Sequence, residues 1–333
     1  MGESFVALAG NQDAMSFNPA GLGVIHGARL SYALRKFDWY SLLDEFKYHQ
    51  VNGALQTPYI NFGFSHSRFN QGEFVVSTSQ SPEGIGTGKL FDYSLAIGFG
   101  RRFGDNWDFG FSLKKFDYGL RRVSGTVSDP EITGPFLVDL GLIYSHRITS
   151  ERESVVQSFS VGSALQHLGG KVKSTIPTFA GTRTIESSLP HYLRIGFMYG
   201  LTVAGETDES LQPLSVSCGG EYRTFLNGSD TQSASKDFWG FGLEMKAMEI
   251  VSVRLSGFVN PYSSVYGVKG VPALRYGLGL SLPFQKLGAS PPITVQFDYA
   301  GIPSQISNDF IGSRQTKTMQ VFSVSVAYEN EIF

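Results

Sequence analysis

Leu274-Arg275-Tyr276-Gly277-Leu278-Gly279-Leu280-Ser281 places a large apolar side chain at every second position, with Arg, Gly or Ser between them. Successive side chains of a strand point to opposite faces, so the octet reads as a strand with one apolar face and one small or polar face. The same period recurs along the chain. Trp107, Phe109, Phe111 and Leu113 alternate with Asp108, Gly110, Ser112 and Lys114, and Leu193, Ile195, Phe197, Tyr199 and Leu201 alternate with Arg194, Gly196, Gly200 and Thr202. Ile293, Val295, Phe297 and Tyr299 do so with Thr294, Gln296, Asp298 and Ala300. Residues 95–100, 138–145, 159–166 and 322–328 follow the same rule, except that Ile143 is apolar on the small-residue parity. A soluble sandwich or jelly roll would charge its outer face. Here the second face is largely Gly, Ala and Ser, which fits an all-β chain folded as a transmembrane antiparallel β-barrel around a constricted or filled lumen.

Weaker runs lie near 27–38, 48–57, 59–69, 72–80, 212–226, 236–248 and 249–260, bringing the count to fifteen. Bacterial single-chain barrels close on an even number, so either the 72–80 or the 48–57 run is not a separate strand, and fourteen strands are predicted. Turn-forming residues predict tight turns at Gly104-Asp105-Asn106 and around Thr57-Pro58. Segments 81–91, 120–135, 168–189, 204–211, 226–236, 260–273 and 302–317 read as longer solvated loops on the opposite side. Trp39 to Phe46, with Leu42, Leu43 and Phe46 at helical spacing, reads as a short helix.

Composition agrees with a barrel. Charged residues make up 17% of the 333, against about 25% in ordinary globular proteins. No run approaches the roughly 20 apolar residues that a membrane helix needs. A net charge of −2 and the absence of any Lys/Arg run argue against a nucleic-acid partner. The single cysteine, Cys218, shares parity with Leu214 and Val216 and reads as a small lipid-facing or buried hydrophobe. The six histidines are scattered, with no spacing that suits a metal site or a catalytic pair, so the chain reads as non-enzymatic, without metal or cofactor.

Residues 1–26 lack alternation and read as an N-terminal plug or hatch, with 27–333 forming the barrel. Within the plug, Asn18-Pro19-Ala20-Gly21 is the gate candidate. Asn18 is suited to bond the local backbone, Pro19 to fix the turn, and Gly21 to permit close approach to the wall. Met1-Gly2-Glu3-Ser4 opens with an acid, and Phe5 to Ala9 is too short for a signal peptide's apolar stretch, so the native N-terminus is expected to lie outside this chain. Lys114, Asp139, Arg194, Arg254, Arg275 and Asp298 fall on the inward parity. Charges there are costly unless paired, so they either tie one another and the plug backbone together or line a path for a ligand's polar end.

The stretch Phe5 to Leu22, ending Asn18-Pro19-Ala20-Gly21-Leu22, resembles the plug of FadL-like outer-membrane barrels, specifically the PorV/PorQ branch. Matches continue in order at Phe109 to Lys114, Val138 to Tyr144, Ala164 to Gly169, Leu189 to Gly196, Gly220 to Tyr222 and Asp298 to Ala300. The resemblance implies a 14-stranded barrel with an N-terminal hatch in the outer membrane of a Gram-negative bacterium. On the PorV side it implies a non-enzymatic accessory of the type IX secretion system, bound to the translocon or to the C-terminal signal domains of its cargo. On the FadL side it implies the alternative, a channel passing hydrophobic small molecules through a lateral opening. Outer-membrane lipid or detergent is a partner in both. The secretion role predicts polar, strand-like docking surfaces at 168–189 and 302–317; the channel role predicts a continuous apolar lumen pocket and a kinked strand. At the C-terminus, Phe333 is off the lipid-facing parity, so the last strand either stops at Tyr328 or resets its register by a bulge.

Overall fold

The computed structural model describes residues 6–36, 46–78, 81–122, 131–150, 155–178, 181–203, 211–226, 237–259, 273–308 and 313–330. In chain order its strands are β1 (Ala28–Lys36), β2 (Lys47–Leu55), β3 (Asn61–Thr78), β4 (Ser81–Phe103), β5 (Trp107–Arg122), β6 (Glu131–Thr133), β7 (Phe136–Thr149) and β8 (Val155–Gly169). They continue as β9 (Lys171–Thr178), β10 (Gly181–Ser188), β11 (Tyr192–Val203), β12 (Leu214–Phe225), β13 (Asp237–Ala247), β14 (Val251–Val259), β15 (Ala273–Pro283), β16 (Ile293–Asn308) and β17 (Ser313–Tyr328). Fourteen of them form one closed antiparallel barrel, sealed where β1 pairs with both β2 and β17. The remaining three, β6, β9 and β10, form a separate small sheet.

The alternation maps onto the two faces of this wall. Phe109, Phe111, Leu113, Ile195, Phe197, Leu278 and Phe297 are exposed on the outside, while Ala96, Ser112, Asp139, Ala164 and Arg194 are buried on the inside. Such an apolar exterior is stable only against hydrocarbon. Ile143, the sequence exception, does point inward and is fully buried, because this part of the lumen is filled with protein rather than water.

The even-count argument holds, and the structure selects between its two options. The 48–57 run is β2, whereas the 72–80 run continues β3, which slips against β4 between Asn70 and Glu73 and again between Val76 and Thr78. Several expected loops are instead strand. Residues 81–91 open β4, 302–308 and 313–317 extend β16 and β17, and 171–178 and 181–188 pair as β9 and β10. Beyond the apolar band both faces of a strand meet water, so pairing continues through residues whose composition resembles a loop.

Val203 and Leu214, which flank 204–211, pair at the short-turn end, as Phe103 pairs with Trp107 around Gly104 to Asn106. Alternating strand direction, which composition does not report, decides the side. Trp39 to Glu45 of the expected helix lies outside the described residues. β17 stops at Tyr328, which faces outward, so the off-parity tail needs no bulge within the strand.

Candidate functional site

Residues 6–25 run inside the barrel. A single helical turn, α1 (Ala14–Phe17), leads into a 3-10 helix, Pro19–Val24. Pro19 occupies the first helical position, where its missing N–H costs nothing. Asn18 caps this helix by accepting the Ala20 N–H at 3.1 Å. Its amide group also donates to the Val6 carbonyl at 2.6 Å and to two wall carbonyls, Ser163 at 3.2 Å and Leu142 at 3.3 Å. Asn18 therefore joins the start of the segment, its 3-10 helix and the β7–β8 seam.

Close approach depends on glycines of the wall more than on Gly21. A methyl group at Gly141 would overlap the Asn18 side-chain oxygen, and one at Gly110 would overlap the Pro19 carbonyl. Gly63 and Gly98 likewise leave room for Met15 and Leu22. At Gly21 itself the crowding comes from Leu8 and Ala14 of the same segment, so its small size serves the segment's own fold. Met15, Leu22, Ile25 and Ala14 pack with the wall residues Ala54 and Ala96 into one buried apolar cluster.

The six inward charges sort into separate groups. Lys114 pairs with Asp139, which also accepts the His167 N–H at 2.8 Å. His167 has a positive φ of 61°, and the register of β7 against β8 shifts between Val138 and Leu140, so Asp139 holds a β-bulge in the wall. Arg194 donates to Glu221 at 2.6 Å, and Glu221 accepts the Val6 N–H at 3.1 Å. Arg194 also lies over the Phe17 ring at 5.0 Å. Arg254 pairs with both Glu244 and Asp298. To reach Asp298 on β16 from β14 it crosses β15 at Gly279, where a side chain would collide with Asp298 and Ser252 and crowd Arg254. Arg275 lines the lumen cavity.

Glu221 and Glu244 escaped the sequence reading, although the parity rule would have found them. Tyr222 faces the Trp239 ring at 4.7 Å and Leu243 is exposed, which puts their neighbours Glu221 and Glu244 on the inward face. A third polar group, also missed, ties the segment to β1 and β2: Asp13 accepts from Asn52 at 2.6 Å and from Ser31 at 3.1 Å.

Two cavities flank the wall. One, of about 530 Å³, lies in the lumen between the segment and the inner faces of β13–β17, β1 and β2. Its lining mixes Ser, Asn, Gln, Arg and carboxylate groups with a few apolar side chains, so the continuous apolar lumen pocket expected for a hydrophobic channel is not what this half of the lumen contains. The other, of about 580 Å³, is a groove on the outer face, lined by apolar side chains including Leu278, Leu280, Phe297, Tyr299 and Phe322. The two share Asp298, Tyr299 and Ser323 as wall residues. Between them the β15–β16 ladder spans eight residue pairs, against sixteen for β16–β17.

At the end of the barrel with the long connections, β9 pairs with β10 on one side and β6 on the other, leaving the outer edge of β10 unpaired among the described residues. Exposed Glu186 on β10 bonds Lys173 at 3.1 Å, and that hydrogen bond, with the charges of Lys173 and Lys171, holds its carboxyl below the usual carboxylate range.

No family profile and no curated protein matches the chain. Solved structures do. Two variants of TodX, the toluene transporter of Pseudomonas putida, described as a monoaromatic hydrocarbon channel, align over 99% of this chain. The deltaS2 variant has 12% identity, 98% of its own length covered and a TM-score of 0.52; the deltaS2S3 variant has 13%, 99% and 0.50. A Pseudomonas aeruginosa FadL homologue aligns at 12% identity over 98% of this chain and 96% of its own, with a TM-score of 0.46. At such identities the likeness concerns the fold alone: a closed antiparallel barrel of fourteen strands.

Proposed function

We propose that the chain is an outer-membrane channel for hydrophobic small molecules, with residues 6–25 as its plug. Solutes pass between the membrane and the lumen through the β15–β16 seam. The observation that carries this reading is the apolar outer groove backed by a lumen cavity across three shared wall residues. A small apolar molecule gains about 25 cal/mol per Å² on leaving water for such a groove or for lipid. The seam is short; Gly277 and Gly279 face the lumen along it, and the Arg254–Asp298 ion pair that crosses β15 there is the contact that must part. The TodX deltaS2 variant, a barrel of this fold, is described as a monoaromatic hydrocarbon channel, in line with the reading.

The test is a reversible staple. Leu278 and Tyr299 are Cα partners across the seam and both line the groove. In a Cys218→Ser background, Leu278→Cys with Tyr299→Cys should form a disulfide on oxidation, since partner strands bring Cα atoms within bridging distance. Uptake of a radiolabelled alkylbenzene should fall on oxidation and return on reduction. A matched staple at Val161 and Phe197, partners on the far wall, should leave uptake unchanged. Equal uptake with the seam stapled contradicts the route.

A second reading, the PorV-type secretion accessory, is favoured by one feature, the small sheet with its unpaired β10 edge, which suits addition of a partner strand. Recovery of a translocon or secreted cargo with the native protein, lost on Thr184→Pro, would support it.

A further inference from the structure

A hydrocarbon carries no charge with which to replace a broken ion pair, so a seam that opens for it must keep its own charges partnered on both sides. We propose that Glu244 and Gln296 do this, which makes the Arg254–Asp298 pair a latch that sets how readily the β15–β16 seam opens. The proposal rests on that seam being the solute route.

The four residues are divided between the two sides. Arg254 on β14 stands directly opposite Glu244 on β13 and is paired with it, and both strands lie on the β15 side of the seam. On the other side, Asp298 of β16 accepts two hydrogen bonds from the Gln296 amide of the same strand, at 3.0 Å and 2.8 Å. Gln296 and Asp298 are two positions apart on one face of one strand, so they move as a unit. The bond from Arg254 to Asp298 joins these two units over Gly279. When it parts, Arg254 keeps Glu244 and Asp298 keeps Gln296. The three charges sum to −1, and in the open seam that surplus rests on Asp298, where the Gln296 amide donates to both carboxylate oxygens.

The strength of the bond suits breaking. The side chains of Arg254, Glu244 and Asp298 are 20%, 25% and 22% exposed, whereas those of the Arg194–Glu221 pair are 3% and 5% exposed. A pair as buried as the second would lock the wall, because parting it strands a charge away from water. The first is partly screened and is worth roughly fivefold in an opening equilibrium.

The latch predicts opposite signs within one network. Asp298→Asn weakens the bond and should raise initial alkylbenzene uptake roughly fivefold. Glu244→Gln leaves Arg254 with Asp298 in the closed seam but without a carboxylate in the open one, and should lower uptake roughly fivefold. Gln296→Leu deprives Asp298 in the same way and should lower it roughly threefold. Arg254→Gln breaks the same bond from the other side and replaces Asp298→Asn if that variant does not give a folded, heat-modifiable band.

Opening is read independently of transport by double electron–electron resonance in nanodiscs. Nitroxides at Met245→Cys and Phe322→Cys, in Cys218→Ser protein, flank the seam along one pairing row, four strand spacings or about 19 Å apart. The longer-distance population should grow in Asp298→Asn and shrink in Glu244→Gln and Gln296→Leu. No change, or a change of one sign in all three, overturns the latch. Distances that follow the predicted signs while uptake stays flat uphold the latch and contradict the hydrocarbon route. Uptake that the oxidised Leu278→Cys and Tyr299→Cys staple blocks, with distances indifferent to the three variants, upholds the route and overturns the latch.

Discussion

Asn18→Ala isolates the bond set that holds residues 6–25 against the wall. The substitution removes the helix cap on Ala20, worth about 1 kcal/mol. It also strips the Val6 carbonyl of its 2.6 Å donor and leaves that buried group unsatisfied, at a cost of about 2 kcal/mol. The Leu142 and Ser163 carbonyls belong to paired strands, so losing their longer contacts adds little. The total, about 3 kcal/mol, corresponds to on the order of 100-fold in the equilibrium for local release of the segment. Hydrogen exchange in detergent or nanodiscs reads this at three amides: Gly10, bonded to the Gly21 carbonyl, Gly21, bonded to that of Asn18, and Ile25, bonded to that of Leu22. Their protection should drop about 100-fold, while β7 and β8 amides keep theirs. Asn18→Ser, which restores the cap, should recover about a factor of five. Unchanged protection of the three amides, or an equal loss throughout the barrel, would refute the clamp.

Glu221→Ala should be far more damaging than any surface charge change. It leaves the guanidinium of Arg194, 3% exposed, without its carboxylate, a loss of about 3–5 kcal/mol that should appear as a lowered thermal midpoint of the heat-modifiable band on gels. Gly110→Val should let the barrel close but expel Pro19, so far-UV circular dichroism stays β-like while protease cuts within residues 6–25. The Glu186 pair predicts a pH effect in the small sheet. Its folded-state carboxyl titrates below the unfolded value, so its contribution is present above the ordinary carboxylate range and is lost as pH falls through the folded value. Amide exchange across β9 and β10, corrected for intrinsic rates, should therefore accelerate on acidification, and Glu186→Gln should abolish the pH dependence.

The barrel was legible because lipid imposes the alternation on every spanning strand. Where lipid ends, legibility ends too: β4 and β16 run on through residues that read as loops, since water on both faces removes the pattern without removing the hydrogen bonds. The charge pairs were half legible. Parity alone set Lys114, Asp139, Arg194 and Arg254 inside, but which carboxylate each basic residue meets depends on cross-strand register, fixed by bulges such as that at His167. The wall glycines at 110 and 141 look like any small inward residue until Asn18-Pro19 is laid against them. The lumen's polar half was legible only in its charges Arg254, Arg275 and Asp298, because the Ser, Gln and Arg positions that compose it lie on seven different strands.

The account stands most directly on hydrocarbon uptake. Gram-negative cells lacking their own hydrocarbon channels, with and without this protein in the outer membrane, are compared for initial uptake of radiolabelled toluene at equal protein folding, judged by heat-modifiable mobility. Faster uptake in cells carrying the protein, reversed by the oxidised Leu278→Cys and Tyr299→Cys staple, is the predicted result. Identical rates with and without a folded barrel would contradict it.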